Sequence, residues 1–477
     1  MLLACSLLAC RIDSVMATQA ARLDNDVRHA LRRAVDYYRT NIATEGGYLW
    51  RYSEDLKQRE GEVRATDTMI WVQPPGTPSV GEAYLAAYEA TGDAYYLEVA
   101  RETAMALVAG QLYSGGWDYR IEFDPRLREQ YAYRFDGNES GRRNVTTLDD
   151  DTSQAAVRLL MRVDKALDIS DKTIHEAALY ALAHLVTAQY PNGAWPQRFA
   201  ESHDEDDVSL AAASYPATWS RSFGADPYMR HYTLNDDVLK HMVDTMLEAA
   251  DVYDEPMYRE SAKRGGDFIV LAQMPEPQPA WAQQYDANMH PAWARKFEPP
   301  AVTGGESQGV MLTLLTLSEG TGEQRFLEPL PAAIEYFRRS QLADGRLARF
   351  YELQTNRPLF FTKDYQLTYD DSDMPTHYSF KSGNAIDKIA ARYERIANTN
   401  TPERLRPVRP PVHKLNAKLI DNTKAVIASL DEQGRWVEDG HMREPEAERP
   451  VTRIVVSQTF CHNVAVLCDY LTAERED

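Results

Sequence analysis

The sequence predicts an all-α fold, an α/α toroid (barrel) of helical hairpins with long functional loops on one face. Three observations carry that expectation. Helical periodicity recurs along the chain while alternating strand patterns are scarce. The periodic segments come in pairs joined by short turns. The longer connections share a Gly-aromatic cadence that returns at intervals of roughly 60 to 90 residues, about two helices plus a loop. Hairpins of this kind bury a common core only by stacking or by closing into a ring.

Leu23 to Asn41 reads as the first helix through Val27, Leu31, Val35 and Tyr38. Ser79 to Thr91 and Ala94 to Leu112 meet at Gly92-Asp93, and Asp151 to Leu167 and Lys172 to Gln189 meet at Ser170-Asp171. Asn235 to Tyr253 and Met257 to Gln273 pair around Pro256; Glu306 to Ser318 and Glu323 to Gln341 pair around Gly320 and Gly322. Asn384 to Ile396 and Lys414 to Leu430 are separated by a Pro-rich crossing at 401–413, and Ser457 to Leu471 stands alone. The two unpaired terminal helices can complete the circle against each other. The expected organisation is one toroid domain over 23–477, on the order of six hairpins, after a signal or lipoprotein-like segment at 1–22.

Of 477 residues, 44% are hydrophobic and 26% charged, as in soluble globular proteins. Lys and Arg number 52 against 72 Asp and Glu, a formal net charge of −20. That balance argues against nucleic acid and anionic membranes as partners, and makes a polyanionic substrate dependent on a cation or a local basic patch. The start MLLACSLLAC is apolar but short, so a clipped secretory signal or a lipid anchor at Cys10 is expected, with a secreted, periplasmic or outer-surface location. No later stretch approaches a membrane span. Cys461 and Cys468 are about 10 Å apart along one helix, too far to bridge, and are expected to be buried thiols. The expected state is a monomer.

The connection YPNGAWPQRF, Tyr190 to Phe199, is the centre of the functional reading. Carbohydrate sites combine flat aromatics with polar side chains on loops held by a scaffold. Trp117, Trp195 and Trp281, with Tyr48, Tyr113 and Tyr119, recur at matching turns, so Trp195 and Trp117 are candidate sugar platforms, with Gln197 and Asn235 as polar partners. The acidic runs Asp149 to Asp151 and Asn235 to Asp237 open the helices flanking this loop. Each alone is explained by helix capping; converging in a toroid, they form an oxygen-only site suited to calcium. A basic stretch, Ala348 to Tyr369, supplies Arg349, Arg357 and Lys363, which can grip carboxylates. A desolvated lysine with cationic neighbours can also act as a base.

Read jointly, VQPPGTPSVGEAYLAAYEATGD, SGGWDY, TLDDDTSQAAVRLL, YPNGAWPQ, HYTLNDD, WAQQYDANMHPAWARKFEPP with GGES, and ARFYELQTNRPLF resemble the family-ten polysaccharide lyases, the calcium-dependent pectate lyases. The likeness runs from about Val72 to Phe360. It implies β-elimination in polygalacturonate, with Ca2+ held by Asp149 and Asp236 and an acidic polysaccharide as the partner. By position Arg349 matches the family's substrate-binding arginine, and its catalytic arginine falls, on an ungapped count, on Lys363. The family's arginine-rich continuation is replaced here by YDDSDMPTHYSFKSG, and the chain runs on beyond it. The expectation is a lyase with Lys363 and Arg349 as catalytic groups and Arg357, Trp195, Gln197, Asn235 and Trp117 as substrate contacts. The alternatives are a non-catalytic uronan-binding protein and a glycoside hydrolase on the same toroid, using two of Asp118, Asp149, Asp236 and Asp237.

Overall fold

The computed structural model describes residues 22–137, 140–200, 210–224, 227–399, 414–444 and 450–474, so Cys10 and the crossing at 401–413 lie outside the described residues. The long helices among them are α1 (22–37), α2 (Thr77–Thr91), α3 (Ala94–Ala109), α4 (Thr152–Ala166), α5 (Lys172–Thr187), α6 (Val238–Tyr253), α7 (Pro256–Leu271), α8 (Gly304–Thr321), α9 (Leu330–Arg339), α10 (Ile386–Ala397), α11 (Ala417–Ser429) and α12 (Ser457–Thr472). The architecture is the predicted α/α toroid. Even-numbered helices neighbour one another on the inside, α12 on α2, α2 on α4, α4 on α6, α6 on α8 and α8 on α10. The terminal helices do pair: Tyr38 stacks on Phe460 with ring centroids 3.7 Å apart, and the Tyr470 hydroxyl donates to Asp24 at 3.0 Å.

Inner helices are bridged by arginines rather than by apolar contact alone. Arg162 on α4 reaches Glu82 on α2 at 2.7 Å and Glu248 on α6 at 2.5 Å, and Arg392 on α10 reaches Glu319 on α8 at 2.5 Å. Short antiparallel strands decorate one rim, where the sequence shows little strand signal because each pair is only two to four residues long. Thr146–Thr147 pairs with Arg198–Phe199, Tyr232–Thr233 with Gln284–Tyr285, and Ala301–Thr303 with Phe350–Glu352. In each case the strand before an inner helix is tied to the strand after the next outer helix.

The recurring cadence is the fastening of this rim. After an outer helix the chain turns, and the indole N–H of the following tryptophan donates back to a carbonyl of that helix's last turn. Trp117 bonds Leu107, Trp195 bonds Leu185 and Trp281 bonds Ile269, each at 2.8 Å, and Trp436 bonds Val426 at 3.0 Å. The last carbonyls of a helix lack the regular amide partner four residues on, so the indole bonds help to satisfy an intrinsic deficit. The glutamines stitch neighbouring hairpins: Gln111 donates to Ala177 at 2.8 Å, Gln189 to Ser261 at 3.0 Å and Gln273 to Pro329 at 2.9 Å. The turn is tight enough to require glycine. A Cβ on Gly193, at φ +95°, would lie 1.9 Å from the Arg264 carbonyl oxygen.

This corrects the reading of the tryptophans. Trp117, Trp195 and Trp281 are fully buried, as is Tyr48, whose hydroxyl accepts from Tyr84 at 2.8 Å; none offers a face to a sugar. Trp195→Phe is expected to lower stability by about 1–3 kcal/mol, the cost of an orphaned buried carbonyl, seen as a drop in Tm, with KM unchanged. A platform role predicts the opposite pattern.

Candidate active site

Helices α4 and α6 begin with the same irregular turn. Leu148 to Asp151 and Leu234 to Asp237 enter through a single 3-10 turn in which two consecutive residues are left-handed. The φ angles are 50° at Asp150 and 60° at Asp151, then 50° at Asp236 and 55° at Asp237. Aspartate tolerates this region better than most residues, yet such positions cost on the order of 1–3 kcal/mol and cluster at functional sites. Neither Asp151 nor Asp237 makes a side-chain cap hydrogen bond, so capping does not account for the triplets. The rim strands fix both turns alike: Leu148 N–H donates to the Gln197 carbonyl and Leu234 N–H to the Gln283 carbonyl, each at 2.9 Å.

Carboxylate oxygens of Asp149, Asp150 and Asp236 thereby lie within 4.8 Å of one another. Asp149 accepts from the Tyr119 hydroxyl at 2.6 Å and from Gln197 Nε2 at 2.9 Å; Asp150 accepts from Gln73 Nε2 at 2.8 Å; Asp236 accepts from Asn235 Nδ2 at 2.6 Å. The carbonyl oxygens of the same two amides, Gln197 Oε1 and Asn235 Oδ1, are buried without a hydrogen-bond partner. Burial first, then the charges of Asp149 and Asp150, push Asp236 up to about 8, and burial with Asp149 and Glu62 pushes Asp150 up to about 6. Three carboxylates this close cannot all ionise without a cation among them. Oxygen-only donors, two of them neutral and idle, fit a hard divalent ion.

The opposing wall is basic. Arg295 Nη2 is 3.6 Å from Asp236 Oδ2 and 2.6 Å from Glu298 Oε1. Arg349 Nη2 is 2.8 Å from Glu306 Oε1, on the first turn of α8, and its guanidinium lies 4.4 Å from the Tyr378 ring centroid. The Tyr378 hydroxyl donates to Glu298 at 3.0 Å, which joins the two arginines into one wall. Burial pulls both guanidinium groups down, but carboxylates, Asp236 among them, outweigh it and leave both raised. Nε of Arg295, Arg349 and Arg198 is buried and unpartnered. Arg198 bonds the Tyr119 hydroxyl at 2.9 Å and stands 3.8 Å from Asp149.

The structure thus brings together Asp149, Asp236, Asn235, Gln197 and, within electrostatic reach of Asp236, Arg349. It does not bring in Lys363. That residue occupies the turn of the hairpin Pro358–Phe361 and Leu367–Thr368, with a side chain 65% exposed and an ion pair to Asp373 at 3.0 Å. An exposed lysine beside an aspartate is the reverse of the desolvated, cation-flanked base expected. Arg357 is also outside, exposed and 3.4 Å from the Tyr369 ring centroid. Asp150, Gln73, Tyr119 as a hydrogen-bond donor and Arg295 were missed as site members. Of these Arg295 carried a usable signal: a cation amid Trp293, Phe297 and Pro299, directly before a rim strand. In the segment that follows the Trp195 loop, the Ser220 carbonyl accepts from Trp293 Nε1 at 2.8 Å. Cys461 and Cys468 are free thiols as expected, Cys468 buried but Cys461 only half-buried.

The pectic acid lyase family matches the chain over residues 111–348. No curated protein matches it. Among solved structures, a mutant of the family 10 polysaccharide lyase from Cellvibrio cellulosa in complex with trigalacturonic acid is similar at 20% identity, covering 67% of this chain and 98% of that one, with a TM-score of 0.46. A cellobiose 2-epimerase from Bacillus thermoamylovorans is similar at 11% identity over 94% of this chain and 99% of that one, TM-score 0.47. A D-mannose isomerase follows at 13% identity, 93% and 97%, TM-score 0.45.

Proposed function

The chain belongs to the pectic acid lyase family by way of residues 111–348, and from that premise we propose that it cleaves pectate (polygalacturonate) or a related uronic-acid polymer by calcium-assisted β-elimination. The observation that carries this reading is the tightly packed acidic trio with two half-buried arginines beside it, Arg295 and Arg349. Asp149, Asp150 and Asp236, with the idle oxygens of Gln197 and Asn235, would hold the ion. Calcium bound there would draw electron density from the uronate carboxylate and so acidify the hydrogen on carbon 5. Arg349, steadied by Glu306 and Tyr378, holds that carboxylate by a charge-assisted contact. Arg295 replaces Lys363 as the group that takes the proton from carbon 5. The C4–O bond then breaks, the glycosidic oxygen leaves and a C4–C5 double bond remains. Glu298 and Asp236 hold the Arg295 side chain in place and, against burial, leave its pKa raised, so a divalent ion that neutralises the aspartates would be what frees it to act as the base.

Oxygens of Asp149 and Asp236 within 4.8 Å of each other are closer than an acid and base that flank a glycosidic bond, which disfavours this pair as hydrolase groups. The expected result with polygalacturonate and calcium is a rise in ultraviolet absorbance from unsaturated uronate, abolished by chelator and restored by calcium. New reducing ends without that absorbance, insensitive to chelator, would replace this reading with hydrolysis; binding without turnover would replace it with a lectin-like role. Export belongs to the same proposal, supported by the apolar start of the chain; an intact Met1 on protein purified from its native cells would count against it.

No helix among the described residues is long and apolar enough to cross a membrane.

A further inference from the structure

Segments outside the family-matched stretch pack beside Asp150. Gln73, which holds Asp150, is itself held by two indoles: Trp50 Nε1 donates to its carbonyl at 2.8 Å and Trp71 Nε1 to its Oε1 at 3.1 Å. The two rings meet edge to face with centroids 5.9 Å apart. Trp71 is buried, but Trp50 is only half-buried, unlike the rim tryptophans. Over Trp50 lies the Arg443 guanidinium, 5.1 Å from the ring centroid, contributed by the loop that precedes α12.

That loop is fastened. The buried Glu60 carboxylate accepts from the Arg443 N–H at 2.9 Å and pairs with Arg51 Nη1 at 3.1 Å, which also donates to the His441 carbonyl at 2.8 Å. The exposed guanidinium of Arg443 has no carboxylate within ion-pair reach among the described residues. On a chain of net charge −20, where acids outnumber bases, such a cation held beside a half-open indole is matched to an anionic ligand.

We propose that Trp50 and Arg443 form a further uronate subsite, one that extends the cleft beyond Asp150 toward the N- and C-terminal hairpins. A uronate unit offers an apolar C–H face and a carboxylate, and this pair offers an indole and a guanidinium side by side. The subsite rests on the lyase reading given above, and it makes the preferred substrate a longer uronan rather than a trimer.

The test compares Trp50→Ala and Arg443→Glu with the unaltered protein on polygalacturonate and on trigalacturonate. On the polymer KM rises five- to tenfold in each variant. Arg443→Glu keeps kcat within twofold and leaves both constants on the trimer unmoved, whereas Trp50→Ala, which also releases Gln73, is read on the polymer KM alone. Because Trp50 also packs on Trp71, the exposed Arg443→Glu variant decides if Trp50→Ala fails to fold. An unchanged polymer KM in Arg443→Glu overturns the subsite. If the unaltered protein cleaves no uronan, the lyase reading falls by itself, and retardation in gels containing polygalacturonate judges the subsite: weaker retardation of Arg443→Glu supports it, equal retardation overturns it.

Discussion

Asp236→Asn is expected to cut turnover on polygalacturonate by about 10³-fold and, without divalent cations, to raise Tm by several degrees above neutral pH. Both effects come from one geometry. Asp236 shares its space with Asp149 and Asp150, and its folded pKa of about 8 lies far above the ordinary value of 3.8. The folded protein therefore keeps a proton that the unfolded chain releases near pH 4. This stabilising protonation is fully present below pH 4 and is lost as pH rises through about 8. Asparagine is neutral throughout, so the gap between variant and parent opens between pH 4 and 8 and then stays constant. Melting curves in chelator at pH 5 and pH 8.5 measure it. Calcium is expected to reverse the order at pH 8.5, stabilising the parent and leaving the variant almost unmoved. Equal melting curves at both pH values would mean that the trio does not share charge.

Arg295→Ala is expected to lower kcat by about 10²- to 10⁴-fold, whereas Lys363→Ala stays within twofold of the parent. Arg295 stands 3.6 Å from Asp236 and is locked to Glu298; Lys363 points to solvent beside Asp373. Initial rates of double-bond formation across pH separate a base from a carboxylate grip. Arg295→Lys keeps a proton acceptor with a lower pKa and is expected to retain a small activity that peaks at lower pH than the parent's. A larger loss for Lys363→Ala than for Arg295→Ala would exchange the two roles.

Most of the helical scaffold is legible in the chain because long apolar-periodic segments leave little choice. Lys172 to Gln189 was expected and Lys172–Thr187 is found; Ser457 to Leu471 was expected and Ser457–Thr472 is found. Boundaries slip where local chemistry intervenes. Glu323 to Gln341 is interrupted by a 3-10 turn at Gln324–Leu327, and the helix proper begins at Leu330, with Pro331 in its first turn. The acidic trio is legible in part, since runs of aspartate at two helix starts mark a place. That Asp150 rather than Asp151 turns toward Asp236 depends on the left-handed backbone, which spacing does not show.

The tryptophans could not be assigned from sequence alone. An aromatic after a glycine turn looks the same whether its ring meets a sugar or its N–H closes a helix end, and only packing separates the two. Lys363 failed for a related reason. Counting along a strand assumes that the strand keeps to the cavity, and here it doubles back at Thr362 to Gln366 and carries the lysine outward.

The junction of α1 with α12 joins the first and last helices among the described residues. On a ribosome, then, the annulus stays an open arc until α12 emerges, because its seam with α1 awaits that helix.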